Sequence, residues 1–288
     1  MYAVAGVSGH TGSLVARTLL KQGERVRAIV RNREHIYKWR DRGAEVLVAD
    51  LNDPMALSEA LQGVKGAYLL TPQSVYDACP LERWSRQNQS IVSAVQNARV
   101  ANAVFLSSMG AHRNHRTGMV QALYDAEQKF QANGVPVTLL RAAYFYENWI
   151  PALSTVQDKG RLPTFLKPKR TIPMVSVEDV ARAAVDLLLH PAEAGRVVEL
   201  TGPKEYSPQD ILEMLESILQ KKLSLLLFSD GGWNEVWGNE KLPEEMTSLL
   251  NETYDGLNKQ KIAFSEKNVE TRRGIVTLEE MLKKWVMA

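Results

Sequence analysis

Tyr2-Ala3-Val4-Ala5-Gly6-Val7-Ser8-Gly9-His10-Thr11-Gly12 is the stretch on which the reading of the chain turns. A short apolar run enters a glycine-rich turn, and Leu14, Val15, Leu19 and Leu20 then recur at helical spacing. Strand, glycine turn and helix is the order in which a doubly wound sheet receives the pyrophosphate of a dinucleotide. Glycine lets the chain turn tightly and bring backbone N–H groups close to the phosphates. The unpaired N–H groups and positive dipole end of the new helix then take the negative charge. The spacing is Gly-x-x-Gly-x-x-Gly rather than the usual Gly-x-Gly-x-x-Gly, so its position after the first strand gives it weight. On this reading Gly6, Gly9 and Gly12 shape the turn and Ser8, His10 and Thr11 lie against the cofactor, His10 through its backbone N–H.

Outward from that turn, residues 24–30 alternate and then turn apolar as a second strand, with Gly23 capping the first helix. A polar helical segment follows at 33–43, a third strand at 45–49, a helix at about 55–62 and a fourth strand at 67–70, stopped by Thr71-Pro72. A long helix at 80–98, a fifth strand at 103–106, a helix at 118–132 and a sixth strand at 137–140 complete the pattern. Six strands alternating with helices require a parallel sheet covered on both faces. Right-handed crossovers give the order 3-2-1-4-5-6, an α/β, doubly wound Rossmann sheet with the nucleotide at the carboxyl ends.

Past residue 150 the rhythm changes. Residues 144–171 read as a helix followed by an irregular Pro/Lys segment. A capped helix start lies at 176–179, a strand at 197–200, and further helix starts at Ser207-Pro208-Gln209-Asp210 and Thr277-Leu278-Glu279-Glu280. The expected organisation is a dinucleotide-binding domain over 1–150, with 172–200 returning to it. A smaller mixed C-terminal cap domain is expected over 151–171 and 201–288, with the substrate between the two.

The chain has 288 residues, 45% of them hydrophobic and 24% charged, with a net charge of +2. That excess is too small to imply nucleic acid, and Arg31-Asn32-Arg33 and Lys167-Pro168-Lys169-Arg170 are short basic runs. The single cysteine, Cys79, excludes an internal disulfide and fits a reducing compartment. Five histidines and one cysteine are scattered without metal-ligand spacing. The first strand begins at once, leaving no room for a signal segment, and the longest apolar run, 223–228, is too short for a bilayer. A soluble cytoplasmic protein with a small-molecule substrate is expected.

The residue ending the second strand separates the two nicotinamide cofactors: an acid there accepts from the ribose 2′-hydroxyl, whereas an arginine accommodates a 2′-phosphate. Arg31 holds that position, with Arg33 two residues on, and predicts NADP(H). Asp50-Leu51 ends the third strand, placed either to meet the adenine or simply to make a turn. Leu70-Thr71-Pro72 passes the ribose and nicotinamide, and Ser107 can face the nicotinamide or a substrate carbonyl. His112 and His115, in the loop after the fifth strand, either reach the site or stand in water; Ser107 and His112 are the catalytic candidates. Trp233 and Trp237, four apart, read as core or as a pocket wall.

These residues resemble the NmrA-like group of atypical short-chain dehydrogenases/reductases. The glycine turn, Arg31, Ser107-Ser108, the segment Gly134-Val135-Pro136-Val137-Thr138-Leu139-Leu140-Arg141 and the run Tyr144-Phe145-Tyr146-Glu147-Asn148-Trp149 carry the likeness. So do the 172–179 segment and Arg272-Arg273-Gly274. The resemblance implies an NADP-binding Rossmann domain, and a family holding both NADPH-dependent quinone reductases and non-catalytic redox sensors that act through protein partners. It places Tyr144, Phe145 and Asn148 beside the substrate. One departure stands out: the Tyr-x-x-x-Lys pair of short-chain reductases falls here on Met119 and Leu123. Tyr124 and Lys129 are five residues apart and point to different sides of a helix. The likeness therefore implies hydride transfer to a quinone-like acceptor, or a cofactor-bound sensor.

Overall fold

The computed structural model describes residues 1–191, 195–228, 232, 242–265 and 269–287. Along the first half, β1 (Tyr2–Val4) leads through the glycine turn to α1 (His10–Lys21), followed by β2 (Val26–Val30), α2 (Ile36–Arg40), β3 (Glu45–Val48) and α3 (Pro54–Leu61). Then come β4 (Gly66–Leu69), α4 (Pro80–Asn97), β5 (Ala103–Ser108), α5 (Gln121–Ala132) and β6 (Val137–Ala142). The second half contains β7 (Tyr144–Phe145), α6 (Leu153–Lys159), β8 (Arg161–Thr164), β9 (Ile172–Val175), α7 (Val177–Leu189) and β10 (Val197–Thr201). It closes with β11 (Glu205–Tyr206), α8 (Pro208–Leu219), β12 (Ser224–Leu227), α9 (Glu244–Asn258), β13 (Glu270–Arg273) and α10 (Leu278–Val286).

The main sheet runs β13-β10-β6-β5-β4-β1-β2-β3, and all its pairings are parallel. The order 3-2-1-4-5-6 stands, extended by two strands beyond the sixth. Parallel crossovers put helices on both faces, which is why β1, β4 and β5 are apolar and buried on both sides. On one face α1, α2 and α7 bury Val15, Leu19, Trp39, Val180 and Leu187. On the other, α3, α4 and α5 bury Leu57, Leu61, Ile91, Val95, Ala126 and Phe130. The helix starts legible in the sequence carry the expected caps. Ser176 accepts from the Glu178 N–H, while Ser207 with Asp210 and Thr277 with Glu280 form capping boxes.

Three segments differ from expectation. Residues 144–171 hold two strands and a 3-10 stretch (146–152) as well as α6, because Pro151 and the left-handed Gly160 (φ 66°) break any long helix. β7 pairs with β9, which pairs with β11, and β8 pairs with β12, making two small sheets. β13 joins the main sheet although 201–288 is expected to lie wholly in the cap. Its Glu-Thr-Arg-Arg sequence carries no apolar signature, and the ion pairs Arg196–Glu270 and Arg272–Asp186 hold it. Tyr146, Leu153, Leu162, Met174, Ile211 and Leu282 form the separate core of the cap. Trp233 and Trp237 lie outside the described residues. Among the described residues, no helix is long and apolar enough to cross a membrane.

Candidate dinucleotide site and active site

The glycine turn joins β1 to α1 where the strand order reverses between β1 and β4, the point at which doubly wound sheets bind ligands. Gly6 has φ +66°, a left-handed conformation that side chains rarely adopt. A Cβ on Gly12 would lie 2.4 Å from both the Ala5 and the Gly6 carbonyl oxygens, so Gly12 is where α1 presses against the strand end. Gly9 caps α1, its N–H donating to Gly6 O at 2.9 Å, with no side-chain cap and no acid in the first helical turn. Ser8, Gly9 and His10 are exposed, whereas the Thr11 side chain is buried. The N-terminal N–H groups of α1 are thus left for an outside acceptor, and the turn fits a dinucleotide pyrophosphate. Arg31 is exposed at the end of β2 and makes no ion pair among the described residues.

Other expected contacts are used internally. Asp50 Oδ1 accepts from the Asn52 backbone N–H at 2.9 Å and from its side-chain amide at 2.8 Å, so the carboxylate makes a turn. Leu51 packs on the α3 side of the sheet. Thr71 Oγ1 donates to Asn88 Oδ1 inside the protein, leaving its backbone, Leu70 and the exposed Pro72 at the sheet edge. Leu70 closes over the turn, with Cδ2 2.7 Å from where a Cβ on Gly6 would stand.

The hydroxyl of Ser107, one of the two catalytic candidates, is used inside the protein. Ser107 is 2% exposed, and its hydroxyl donates to Glu127 Oε1 at 2.6 Å. Glu127 also receives Arg141 through two bonds, Nε to Oε1 at 3.0 Å and an Nη2 bond to Oε2 at 2.6 Å. Arg141 reaches Glu199 at 3.6 Å, and Glu199 accepts from the Ser265 N–H and hydroxyl. The sequence reading gave Glu127 and Glu199 no role; the available signal was an arginine at the end of an apolar strand, which needs buried acids. His112 and His115 separate. His115 is exposed beside Asn114. His112 is half-buried, with Nδ1 buried and unpartnered among the described residues. Burial, then the positive charges of Arg141 and Arg113, push its pKa down, so the ring is neutral near pH 7.

On the cap side, the Tyr144 and Tyr254 hydroxyls lie 3.1 Å apart. Trp149 meets Tyr144 edge-on at 6.5 Å, and Phe165 stacks obliquely on Tyr254 at 5.2 Å. Burial holds both tyrosine hydroxyls above their ordinary pKa, keeping them protonated. Phe145, the next strand residue, faces the opposite way, into the layer under α1 and α7, and Asn148 is exposed. Tyr144 therefore packs with the core of the cap and Phe145 with the main sheet.

A sequence model of the NmrA-like family matches residues 2–282. The chain belongs to the NmrA-like family. The NAD(P)H azoreductase of Xenophilus azovorans is 23% identical over 256 residues, 88% of this chain and 86% of that protein. Quinone oxidoreductase 2 of Escherichia coli is 24% identical over 263 residues, 90% and 88% of the two chains. The fold also matches Citrobacter sp. triphenylmethane reductase complexed with NADP(H), with TM-score 0.80 and 21% identity over 99% of this chain and 98% of that one.

Within this NmrA-like chain the Tyr/Lys positions are packing sites. The Met119 N–H donates to Thr253 Oγ1 of α9 at 2.9 Å, and Leu123 packs between the cap and sheet cores. Lys129 is turned toward α4, bonded to Ser85 and paired with Asp125. Glu147, within the aromatic motif, accepts the Val177 N–H on both oxygens at 3.3 and 3.2 Å, and burial pushes its pKa up to about 7 from the ordinary 4.5. A raised folded-state pKa stabilises the protein fully below 4.5, and that stability is lost as pH rises through about 7. Thermal melting at pH 5 and pH 8 is expected to show Glu147→Gln flattening this slope, its deficit shrinking or reversing at pH 8. An unchanged slope would remove Glu147 as its source.

Proposed function

We propose that this NmrA-like chain is an NADPH-dependent oxidoreductase acting on a quinone-like or other conjugated electrophile. The observation that carries the reading is the uncapped, acid-free start of α1 behind the glycine turn, at the reversal of the sheet. The nicotinamide would supply hydride. The N–H groups of the turn, with Gly6, Gly9 and Gly12, would hold the pyrophosphate. Arg31 would stand by the 2′-phosphate, and Leu70-Thr71-Pro72 would border the ribose and nicotinamide. Relatives named as azo, quinone and triphenylmethane dye reductases favour a planar, conjugated acceptor. Tyr144, which meets Trp149 and Tyr254, would present an aromatic surface to such a molecule. Reducing a carbonyl to an alkoxide calls for a positioned acid, and Met119 and Leu123 cannot provide one. A conjugated acceptor delocalises the incoming charge and takes its proton from water.

NADPH oxidation followed by absorbance with quinones, nitroaromatics and aldehydes tests this. Turnover is expected on quinones and not on aldehydes. Tight NADPH binding without turnover on any acceptor would favour a redox sensor working through a protein partner, a reading that Leu123 supports.

A further inference from the structure

Residues 70–74, which leave the carboxyl end of β4, belong to no helix or strand. Within them Thr71, Pro72 and Gln73 make no backbone-to-backbone hydrogen bond among the described residues. No ladder places this segment, yet Leu70 closes over Gly6 and Thr71 is only 6% exposed. Side chains hold it instead. The Thr71 hydroxyl donates to Asn88 Oδ1 of α4, and Gln73 Nε2 donates to Met119 O at 2.9 Å.

Asn88 is 1% exposed, and both ends of its amide are used. Oδ1 accepts from Thr71, while Nδ2 donates to Ala122 O at 2.7 Å and to Asp125 Oδ2 at 2.8 Å. Asp125 is itself fixed by an ion pair with Lys129, whose Nζ also donates to Ser85 Oγ at 2.8 Å. A buried amide satisfied in this way keeps a single orientation, because turning it leaves polar groups unpaired in a low dielectric. Met119 is anchored from the other side, its N–H donating to Thr253 Oγ1 of α9 at 2.9 Å. The Met119 and Leu123 side chains offer a cofactor no polar group. This stretch works through its carbonyl groups: Ala122 O receives Asn88, and Met119 O receives Gln73.

We infer that Asn88 is a positioning residue for the nicotinamide half of the dinucleotide, acting through Thr71, with Gln73 as a second tie on the same segment. This role deepens the proposed function and rests on its placing of Leu70-Thr71-Pro72 beside the ribose and nicotinamide. The topology gives the direction. In a doubly wound sheet the dinucleotide spans the strand reversal, with one mononucleotide half on each side. Arg31 ends β2 on one side of β1, and the segment leaves β4 on the other. Loss of the Asn88 tie should be felt by the nicotinamide half and not by the adenine half.

Calorimetric dissociation constants for NADPH and for adenosine 2′,5′-bisphosphate, which lacks the nicotinamide half, test this in the wild type, Thr71→Val, Thr71→Ser and Asn88→Ala. Thr71→Val exchanges only the hydroxyl for a methyl. It is expected to weaken NADPH about tenfold while leaving the bisphosphate within about twofold, whereas Thr71→Ser, which keeps the donor, should bind both within about twofold of the wild type. Asn88→Ala should act in the same way and more strongly. Because that change also strands Asp125 and Ala122 O, the near-isosteric Thr71→Val keeps the test decisive if Asn88→Ala folds poorly. Affinities for both ligands that fall together in Thr71→Val, or NADPH affinity that stays at the wild-type value, would overturn the assignment. So would a serine variant that binds NADPH as weakly as the valine variant. A wild type that binds NADPH but reduces no quinone removes the proposed reaction and leaves the positioning role standing. A wild type that binds neither ligand removes both.

Discussion

Gly12→Ala is expected to cost about 3 kcal/mol of stability and to lower NADPH affinity by roughly a hundredfold or more, as judged by thermal melting and cofactor fluorescence. The added methyl would sit 2.4 Å from Ala5 O, 2.4 Å from Gly6 O and 2.5 Å from the Gly6 carbonyl carbon. All three are backbone atoms of the strand end and turn, so no rotamer change relieves the overlap. Either α1 retreats from β1 or the turn opens. Both moves disturb the N–H groups at the start of α1, which no side chain caps. Small-to-large changes in packed interiors commonly cost about 1–3 kcal/mol, and a clash with backbone alone belongs at the top of that range. Gly9→Ala is the internal control. Its Cβ would meet only Gly6 O, at an ordinary 3.5 Å, so the scaffold should melt close to the wild type. Similar melting for the two variants would mean that α1 does not depend on close approach at Gly12.

This contrast shows why the first part of the chain was legible and the later part less so. Apolar strands buried on both faces, separated by capped helices, announce a parallel sheet in the sequence, and β1 to β6 follow that pattern. β13 reads Glu270 to Arg273 and is half-covered at the sheet edge, held by ion pairs across long sequence separations that no local pattern encodes. The site divides in the same way. The glycine turn is local backbone chemistry and could be read directly. Side chains near the expected cofactor had alternative partners that only the fold brings close: Asn52 for Asp50, Asn88 for Thr71, Glu127 for Ser107.

Arg141→Met is expected to lose about 3–5 kcal/mol at pH 7, measured by urea unfolding, because it strands buried carboxylates without a counter-charge. Glu127 and Glu199 are 4% and 3% exposed, and after the substitution Ser107 and Ser265 would be their remaining hydrogen-bond donors. Desolvation without a cation raises a carboxylate's pKa, so the folded variant would hold protons that its unfolded chain releases. Its stability should therefore rise as pH falls toward about 5, narrowing the gap to the wild type. A gap constant with pH would mean that the loss is packing of the arginine stem rather than charge. Arg141→Met/Glu127→Gln separates these explanations again. Replacing the acid by its neutral isostere keeps an acceptor for the Ser107 hydroxyl and removes one unpaired charge, so the double variant should be more stable than Arg141→Met alone. If the two losses add, the close Arg141–Glu127 contact contributes no coupling. If the double variant recovers, the buried network at the ends of β5 and β6 is a charge lock in which Ser107 serves as a donor to Glu127.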